Sequence, residues 1–218
     1  MPKLLVNNSS TNSQKFFFYQ KAPKCSATNS PVVSCSLGTN NVGPGAQWNI
    51  EIEREIHAAV EGPDPIIYPK RTPSLVVTST TTVKQLVQVT DHDTEAKNYT
   101  KMSINPLALS LPINNNDIPL GNFRVWIPSY VPTDLYYFKV GSAETNVLGE
   151  DFLSWYIKAP PAVNVDFQPD PIYYVSVGSV SQGKPAPSPG DIPTAACDFK
   201  NANIISAVYN VDGSWSVK

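Results

Sequence analysis

Proline punctuates this chain so densely that long helices have nowhere to form. It stands at 21 of 218 positions, about twice the usual share. Each proline removes a backbone N–H and locks φ near −65°, which disrupts the interior of a helix. Short extended segments joined by turns fit between them. Those segments alternate apolar and polar residues with period two, the pattern of a half-buried strand. In Trp48-Asn49-Ile50-Glu51-Ile52-Glu53, one face carries Trp48, Ile50 and Ile52 and the other Asn49, Glu51 and Glu53. Phe16-Phe17-Phe18-Tyr19 has no polar position and suits a strand buried on both faces.

The same reading predicts strands at 3–7, 14–20, 31–36, 75–82, 83–90, 97–104, 123–127 and 135–140. Further strands are expected at 152–158, 163–167, 172–177, 196–200, 204–209 and 215–217. Residues 53–60 hold a helix-like run but lie in strand country and end at Gly62-Pro63, so they read as the second strand of a hairpin. Turns fall at the Asn/Ser run 7–13, at Gly43-Pro44-Gly45, at Asp91-His92-Asp93 and at Asn210-Val211-Asp212-Gly213. Residues 63–73 and 183–193 are too rich in proline to be regular, and the second is expected to be a stiff surface loop. Many short strands, no βαβ pattern and no shift of composition predict one all-β domain over 1–218. Its architecture is an antiparallel β-sandwich of jelly-roll type with about 12–16 strands.

Charged residues make up only 16% of the chain, against about 25% in an ordinary globular protein. The net charge is −2, with no basic cluster, which argues against a nucleic-acid partner. Weak charge also leaves little repulsion between copies. The apolar stretch Leu4-Leu5-Val6 is too short for the core of a signal peptide, and no segment approaches the length of a membrane span. A cytoplasmic protein is therefore expected, with a processed secreted chain as the alternative. The glycosylation-type patterns at Asn7, Asn8 and Asn98 then read as chance matches.

Few residues offer chemistry. His57 and His92 are the only histidines, and a catalytic triad or a histidine-based metal site would need one of them. Glu53, Glu55 and His57 share strand parity and could hold a divalent cation, but a solvated strand face is the commoner meaning of that pattern. Asp91-His92-Asp93 lacks the spacing of a calcium loop, and Glu150-Asp151 beside Gly149 reads as a turn. The chain contains no nucleophile elbow, phosphate-cradling glycine loop or zinc motif. No catalytic, cofactor-binding or metal residue is assigned, and a non-enzyme is expected. Cys25, Cys35 and Cys197 are odd in number, which argues against a disulfide framework. Cys25 and Cys35 flank a Ser/Thr/Asn/Pro-rich stretch and could pair if it closes as a loop; reduced, partly buried thiols are the alternative. Trp126, Tyr130, Trp155 and Tyr156 stand beside turns, where a sugar could stack, although core packing explains aromatic residues more often.

Four stretches together resemble a known group. They are Leu4-Leu5-Val6-Asn7-Asn8-Ser9-Ser10 with Phe16-Phe17-Phe18-Tyr19-Gln20-Lys21-Ala22-Pro23; Gly45-Ala46-Gln47-Trp48-Asn49-Ile50-Glu51-Ile52; Val165-Asp166-Phe167-Gln168-Pro169 with Ile172-Tyr173-Tyr174-Val175-Ser176-Val177-Gly178; and Asn210-Val211-Asp212-Gly213-Ser214-Trp215-Ser216-Val217. In these the chain resembles a family of small β-rich fungal proteins and, more distantly, the rhizosphere-expressed protein of nodulating bacteria. The resemblance implies an all-β fold and a leaderless chain, and it brings no activity or site residues with it. The 25–35 segment and the 183–193 loop depart from the family pattern.

Two expectations of function follow. One is a non-catalytic structural protein that self-associates into homo-oligomers or filaments. Its warrant is low charge and strands such as Ser74-Leu75-Val76-Val77-Thr78-Ser79-Thr80-Thr81-Thr82, which lack the lysines and prolines that guard sheet edges. The other is a carbohydrate-binding, lectin-like module that binds glycans through the four named aromatic residues.

Overall fold

The computed structural model describes residues 1–27, 29–63, 82–89, 96–134 and 136–218. None of these residues is helical, and the protein is all-β. In chain order the strands are β1 (Lys3–Asn8), β2 (Gln14–Gln20), β3 (Lys24–Cys25), β4 (Val33–Ser34), β5 (Ser36–Val42) and β6 (Gln47–Glu51). Next come β7 (Ile56–Glu61), β8 (Thr82–Val87), β9 (Tyr99–Ile104), β10 (Leu107–Leu109), β11 (Phe123–Ile127) and β12 (Lys139–Thr145). The last are β13 (Asp151–Lys158), β14 (Val163–Gln168), β15 (Ile172–Val177), β16 (Thr194–Asp198), β17 (Ile204–Tyr209) and β18 (Trp215–Val217). The expected strand at 75–82, the loop 63–73 and the turn Asp91-His92-Asp93 fall mostly or wholly outside the described residues.

The chain divides into two compact units. Unit 1 gathers 1–23, 33–55 and 169–218; unit 2 gathers 24–32 and 56–168. In unit 1, sheet A has the order β18-β17-β1-β6 and sheet B the order β16-β15-β2-β5. The two face each other across aromatic rings. Phe16 of β2 meets Tyr209 and Trp215 of sheet A edge-on at 5.7 and 5.6 Å, and Phe18 meets Trp48 at 5.6 Å. Phe17 and Tyr19 point the other way and stack at 5.8 Å. All four residues of the run are buried, as a strand with no polar position requires. The proline-rich segment is tied to this unit rather than loose on it. Gly183 N donates to Ser36 O, Lys184 O accepts from Ser36 N and Ala186 N donates to Ser34 O, at 2.8–2.9 Å.

In unit 2, sheet C has the order β10-β9-β11-β14-β3, and sheet D contains the run β13-β12-β7-β8. Trp155 of β13 packs on Phe167 and Phe123 of sheet C at 5.1 and 6.1 Å. Around them lie Val125, Ile127, Val140, Ile157 and Val165, each at most 1% exposed. Both units are thus two-sheet sandwiches; some strands, such as β1 and β11, bury one parity, whereas β2, β7, β12 and β13 bury residues of both.

Three local expectations change. Segment 53–60 is not a hairpin partner of 48–53. β6 pairs with β1, whereas β7 starts at Ile56 and pairs with β8 and β12. Glu53-Arg54-Glu55 has no apolar residue to bury, so the strand stops before it. The sheets are also not wholly antiparallel: β1 runs parallel to β17, and β9 to β11. Parallel pairing needs a long connection, and the first of these pairs joins strands from opposite ends of the chain. The expected strand at 135–140 begins at Lys139 and runs to Thr145, because Gly141, Ser142 and Ala143 are small enough to be buried there. A Cβ on Gly141 would sit 2.0 Å from the carbonyl oxygen of Trp155.

No helix among the described residues is long and apolar enough to cross a membrane.

Candidate functional site

Unit 1 presents a sheet face whose middle is uncharged. On β1 the alternation buries Leu4, Val6 and Asn8 and turns Lys3, Leu5 and Asn7 outward. Register sets Asn7 between Gln47 of β6 and Val208 of β17. Gln47 Nε2 donates to Asn7 Oδ1 at 3.0 Å, and Asn7 Nδ2 donates to Ser206 Oγ at 2.8 Å. A ladder of amides and a hydroxyl therefore runs across three strands. Charge enters at one end of the face, where Lys3 and Glu51 approach to 3.7 Å with both side chains more than half exposed.

Unit 1 also has an outer strand that is exposed over its middle. β5 is the outer strand of sheet B, and its seven residues, Ser-Leu-Gly-Thr-Asn-Asn-Val, include no charge. Its start is covered by the segment bonded to Ser36 and by Gln182, whose Nε2 donates to Leu37 O at 2.9 Å. Thr39, Asn40 and Asn41 are exposed. The far end is fixed by a residue that sequence reasoning passed over. Asn8 is 1% exposed, and its Nδ2 donates to Val42 O and to Asn12 O, both at 2.8 Å. Its Oδ1 accepts from Ser10 N at 3.0 Å and from Ser10 Oγ at 2.6 Å. One buried amide thus shapes the turn after β1 and ties it to the end of β5. The Asn/Ser content announced the turn but could not mark which asparagine turned inward.

The four aromatic residues named for sugar stacking do not form one surface. Trp155 is 1% exposed and belongs to the core of unit 2, so it offers no ring face to a ligand; a strand buried on its Trp155 side cannot display it. Tyr130 donates its hydroxyl to Ala159 O and meets Phe138 edge-on at 5.2 Å. Tyr156 is half-buried on β13 and lies under Lys139, whose Nζ is 5.3 Å from the ring centre. Trp126 alone is displayed, 37% exposed on β11.

Trp126 stands on the outward face of sheet C. Register places it opposite Asn164 of β14 on one side and Lys101 of β9 on the other. One step along, Arg124 faces Asp166 in a two-pronged ion pair, with Nε to Oδ1 at 2.5 Å and a second bond to Oδ2 at 2.8 Å. The bond to Asp166 holds the Arg124 pKa above its usual value. At the end of β14 a cleft of about 350 Å³ opens, with Ser26, Asn29, Ser30, Pro160, Pro161 and Asn164 among its walls. Asp166 N donates to Ser26 Oγ at 2.9 Å, which pins this wall to the strand.

The polar residues considered for catalysis or metal binding are dispersed. His57 is half-buried on β7 opposite Leu86, whereas Glu53 and Glu55 lie in the link before that strand. They share no strand face. Among the described residues no group of three or more His, Cys, Asp or Glu side chains could hold a metal; His92 lies outside them. Glu53 and Glu55 line an open hollow of about 540 Å³ with Met1, Pro2, Arg54 and Asn203, in which Arg54 donates to Asn203 Oδ1 at 2.7 Å.

The cysteines are thiols, with no disulfide between Cys25 and Cys35. Cys35 and Cys197 are buried in unit 1 and Cys25 is half-buried in unit 2. Burial pushes the Cys197 thiol up to about 12 and raises that of Cys25. The asparagines of the glycosylation-type patterns are engaged as well: Asn98, 7% exposed, accepts from Asn115 N at 2.9 Å and donates to Asn115 O at 3.2 Å.

Comparison with models of known protein families, with curated proteins and with solved structures finds no match to this chain.

Proposed function

We propose that this protein is a non-catalytic structural protein that self-associates into ordered homo-oligomers or filaments, with unit 1 supplying the contacts. The observation that carries this reading is β5, a seven-residue outer strand without a charged side chain whose residues 39–41 are exposed. An outer strand presents backbone donors and acceptors to any strand that can lie beside it, and natural sheets discourage this with lysine, proline, bulges or short edges. The uncharged ladder across sheet A and a net charge of −2 add little repulsion between copies. Pairing of β5 with its own copy across a twofold axis closes a dimer. Pairing with a different edge, such as β18, propagates a filament.

Light scattering over a concentration series, with electron microscopy of the same sample, tests the proposal. The mass is expected to exceed that of one chain and to fall towards it in the double variant Thr39→Lys, Asn41→Lys, which sets two charges on the edge beside Phe17 and Lys15. A protein that stays monomeric at every concentration overturns the reading. So does assembly that ignores both lysines while the circular dichroism spectrum stays unchanged.

A further inference from the structure

Unit 2 carries a surface of a different kind, and nothing in the self-association reading uses it. We propose that the outward face of sheet C around Trp126, together with the cleft at the end of β14, binds a glycan built of pyranose rings with equatorial substituents, such as β-linked glucose or N-acetylglucosamine.

The argument begins with exposure. Every second residue of β11 is buried: Phe123, Val125 and Ile127 are all 0% exposed. Their neighbours Arg124 and Trp126 must then stand on the opposite face. An indole left in water exposes a large apolar ring, which is unfavourable. A sugar whose hydroxyls are equatorial has two faces lined by C–H bonds, and such a face covers an indole while its hydroxyls remain at the rim. Stacking of this kind needs a flat platform, which a strand face provides.

The residues around Trp126 suit the rim of the same ligand. Asn164 lies directly across the strand pair, where Cβ atoms stand about 5 Å apart, and its amide supplies both a donor and an acceptor. Arg124 and Asp166 are already locked to each other. Each still has hydrogen-bonding capacity, since a guanidinium has five N–H groups and a carboxylate about four acceptor sites. A fixed donor beside a fixed acceptor matches two neighbouring sugar hydroxyls, and it loses little freedom on binding because it is already ordered. The mutual neutralisation of the pair favours a neutral sugar over a strongly charged one.

The cleft extends the platform. Asn164 belongs to both. Its volume of about 350 Å³ lies at the lower end of the range for small-ligand sites, roughly 300–1,000 Å³. Ser26, Asn29 and Ser30 line it together with Pro160 and Pro161, a mixture of hydrogen-bonding and apolar residues that suits a second sugar ring. A chain of two or more residues would stack one ring on Trp126 and place the next over Asn164 into the cleft.

Titration calorimetry with soluble hexasaccharides of β-1,4-linked glucose, β-1,3-linked glucose and β-1,4-linked N-acetylglucosamine tests the site, with a hexasaccharide of α-linked mannose as control. At least one β-linked probe is expected to bind and the control to bind more weakly. Trp126→Ala should weaken binding by about tenfold or more and Trp126→Phe by less, because the smaller ring still stacks. Asn164→Ala should weaken binding several-fold. These are outward-facing positions, so an unchanged thermal midpoint separates loss of the site from loss of fold. Absence of binding to every probe at millimolar concentration overturns the proposal, as does binding that Trp126→Ala leaves intact. If Trp126→Ala instead dissociates an oligomer and no probe binds, the indole is a contact between copies and the glycan site is refuted. The double lysine variant of β5 should bind sugar like the parent chain, so failure of either proposal is distinguishable from failure of the other.

Discussion

The outward faces of sheet A and sheet C obey one rule and end with opposite chemistry. Both alternate along β1 and β11, burying one parity and turning the other outward, and β14 follows the same rule after Val163. On sheet A the middle of the outward face is a ladder of amides and a hydroxyl that satisfy one another, Gln47 to Asn7 to Ser206, with Lys3 and Glu51 at one end. On sheet C it is Lys101, Arg124, Asp166 and an exposed indole. The edges differ as well, most clearly at β5, although β18 at the edge of sheet A is also short. Unit 1 ends sheet B with seven uncharged residues in β5. In unit 2, β3 and β10 have two and three residues, and β8 carries Lys84, 3.4 Å from Asp151. Short strands and edge lysines are devices that prevent sheets from joining. Alternation thus decides which residues meet water, but the identity of the outward residues decides what the surface does there. One unit suits pairing with like surfaces, and the other suits a polar ligand.

The largest effect that can break this picture is at the division between displayed and buried rings. Trp155→Ala removes a ring packed against Phe123 and Phe167 and should cost about 3–5 kcal/mol. Trp126→Ala should cost no more than about 0.5–1 kcal/mol, as at other sites on the surface. Urea unfolding of the two variants measures both. Equal losses would mean that Trp126 is a core residue and that sheet C has no displayed face.

The next contrast lies within two neighbouring residues. Asn8→Ala strands Val42 O and Ser10 N in a buried site, while Asn12 O keeps its bond from the Ser10 hydroxyl. At about 1–3 kcal/mol for each unsatisfied group, partly relieved by relaxation, the expected loss is about 2–4 kcal/mol. Asn7→Ala removes an outward amide that water can replace, and it should cost under about 1 kcal/mol. If the two losses are reversed, the parity of β1 is wrong.

These contrasts also mark what a reader of the bare sequence can recover. Strands 14–20, 123–127, 172–177, 204–209 and 215–217 coincide with β2, β11, β15, β17 and β18, because each is an alternating or wholly apolar run between turn residues. Strand pairing is far less visible. Nothing in Lys3–Asn8 states that its partner is Ile204–Tyr209, since pairing depends on contacts distant in sequence. Likewise the 24–32 and 56–168 stretches share the composition of their flanks although they form a compact unit of their own. Among the candidate aromatic residues, Trp126 and Trp155 have similar neighbours in sequence. Only the packing of Trp155 against two other strands separates the buried ring from the displayed one.

An alkaline titration sharpens the difference between the cores. Burial, with smaller contributions from Tyr174 and Asp191, pushes the Tyr19 hydroxyl up to about 12, and burial pushes the Cys197 thiol up to about 12. Both belong to unit 1. Their ordinary values are 10.0 and 9.0, so the unfolded chain releases these protons first as pH rises. Unit 1 should hold its full stability below about pH 9 and lose it progressively towards pH 12. The Tyr19 hydroxyl is buried with no hydrogen-bond partner among the described residues, so Tyr19→Phe should be neutral or slightly stabilising at pH 7. The same variant should flatten the alkaline decline. A decline unaffected by Tyr19→Phe and by Cys197→Ala would assign the alkaline sensitivity to unit 2.

The smallest effect concerns reactivity rather than stability. A thiol attacks reagents as the thiolate, so burial slows it both by access and by raising its pKa. Cys25 is half-buried in unit 2, while Cys35 and Cys197 are buried in unit 1. The Cys25 sulfur also accepts from Ala27 N at 3.3 Å, which partly offsets the effect of burial on its pKa. Alkylation of the native protein at neutral pH, followed by intact mass, should therefore add one group slowly and place it on Cys25. Addition of denaturant should then expose two more sites together, since both are buried in unit 1. Labelling in urea steps times the opening of unit 1 against that of unit 2. If Cys35 reacts as fast as Cys25 before any denaturant is present, the covered start of β5 is open in solution. The bare stretch at 39–41 would then extend to the whole strand, and a longer edge would be available for pairing.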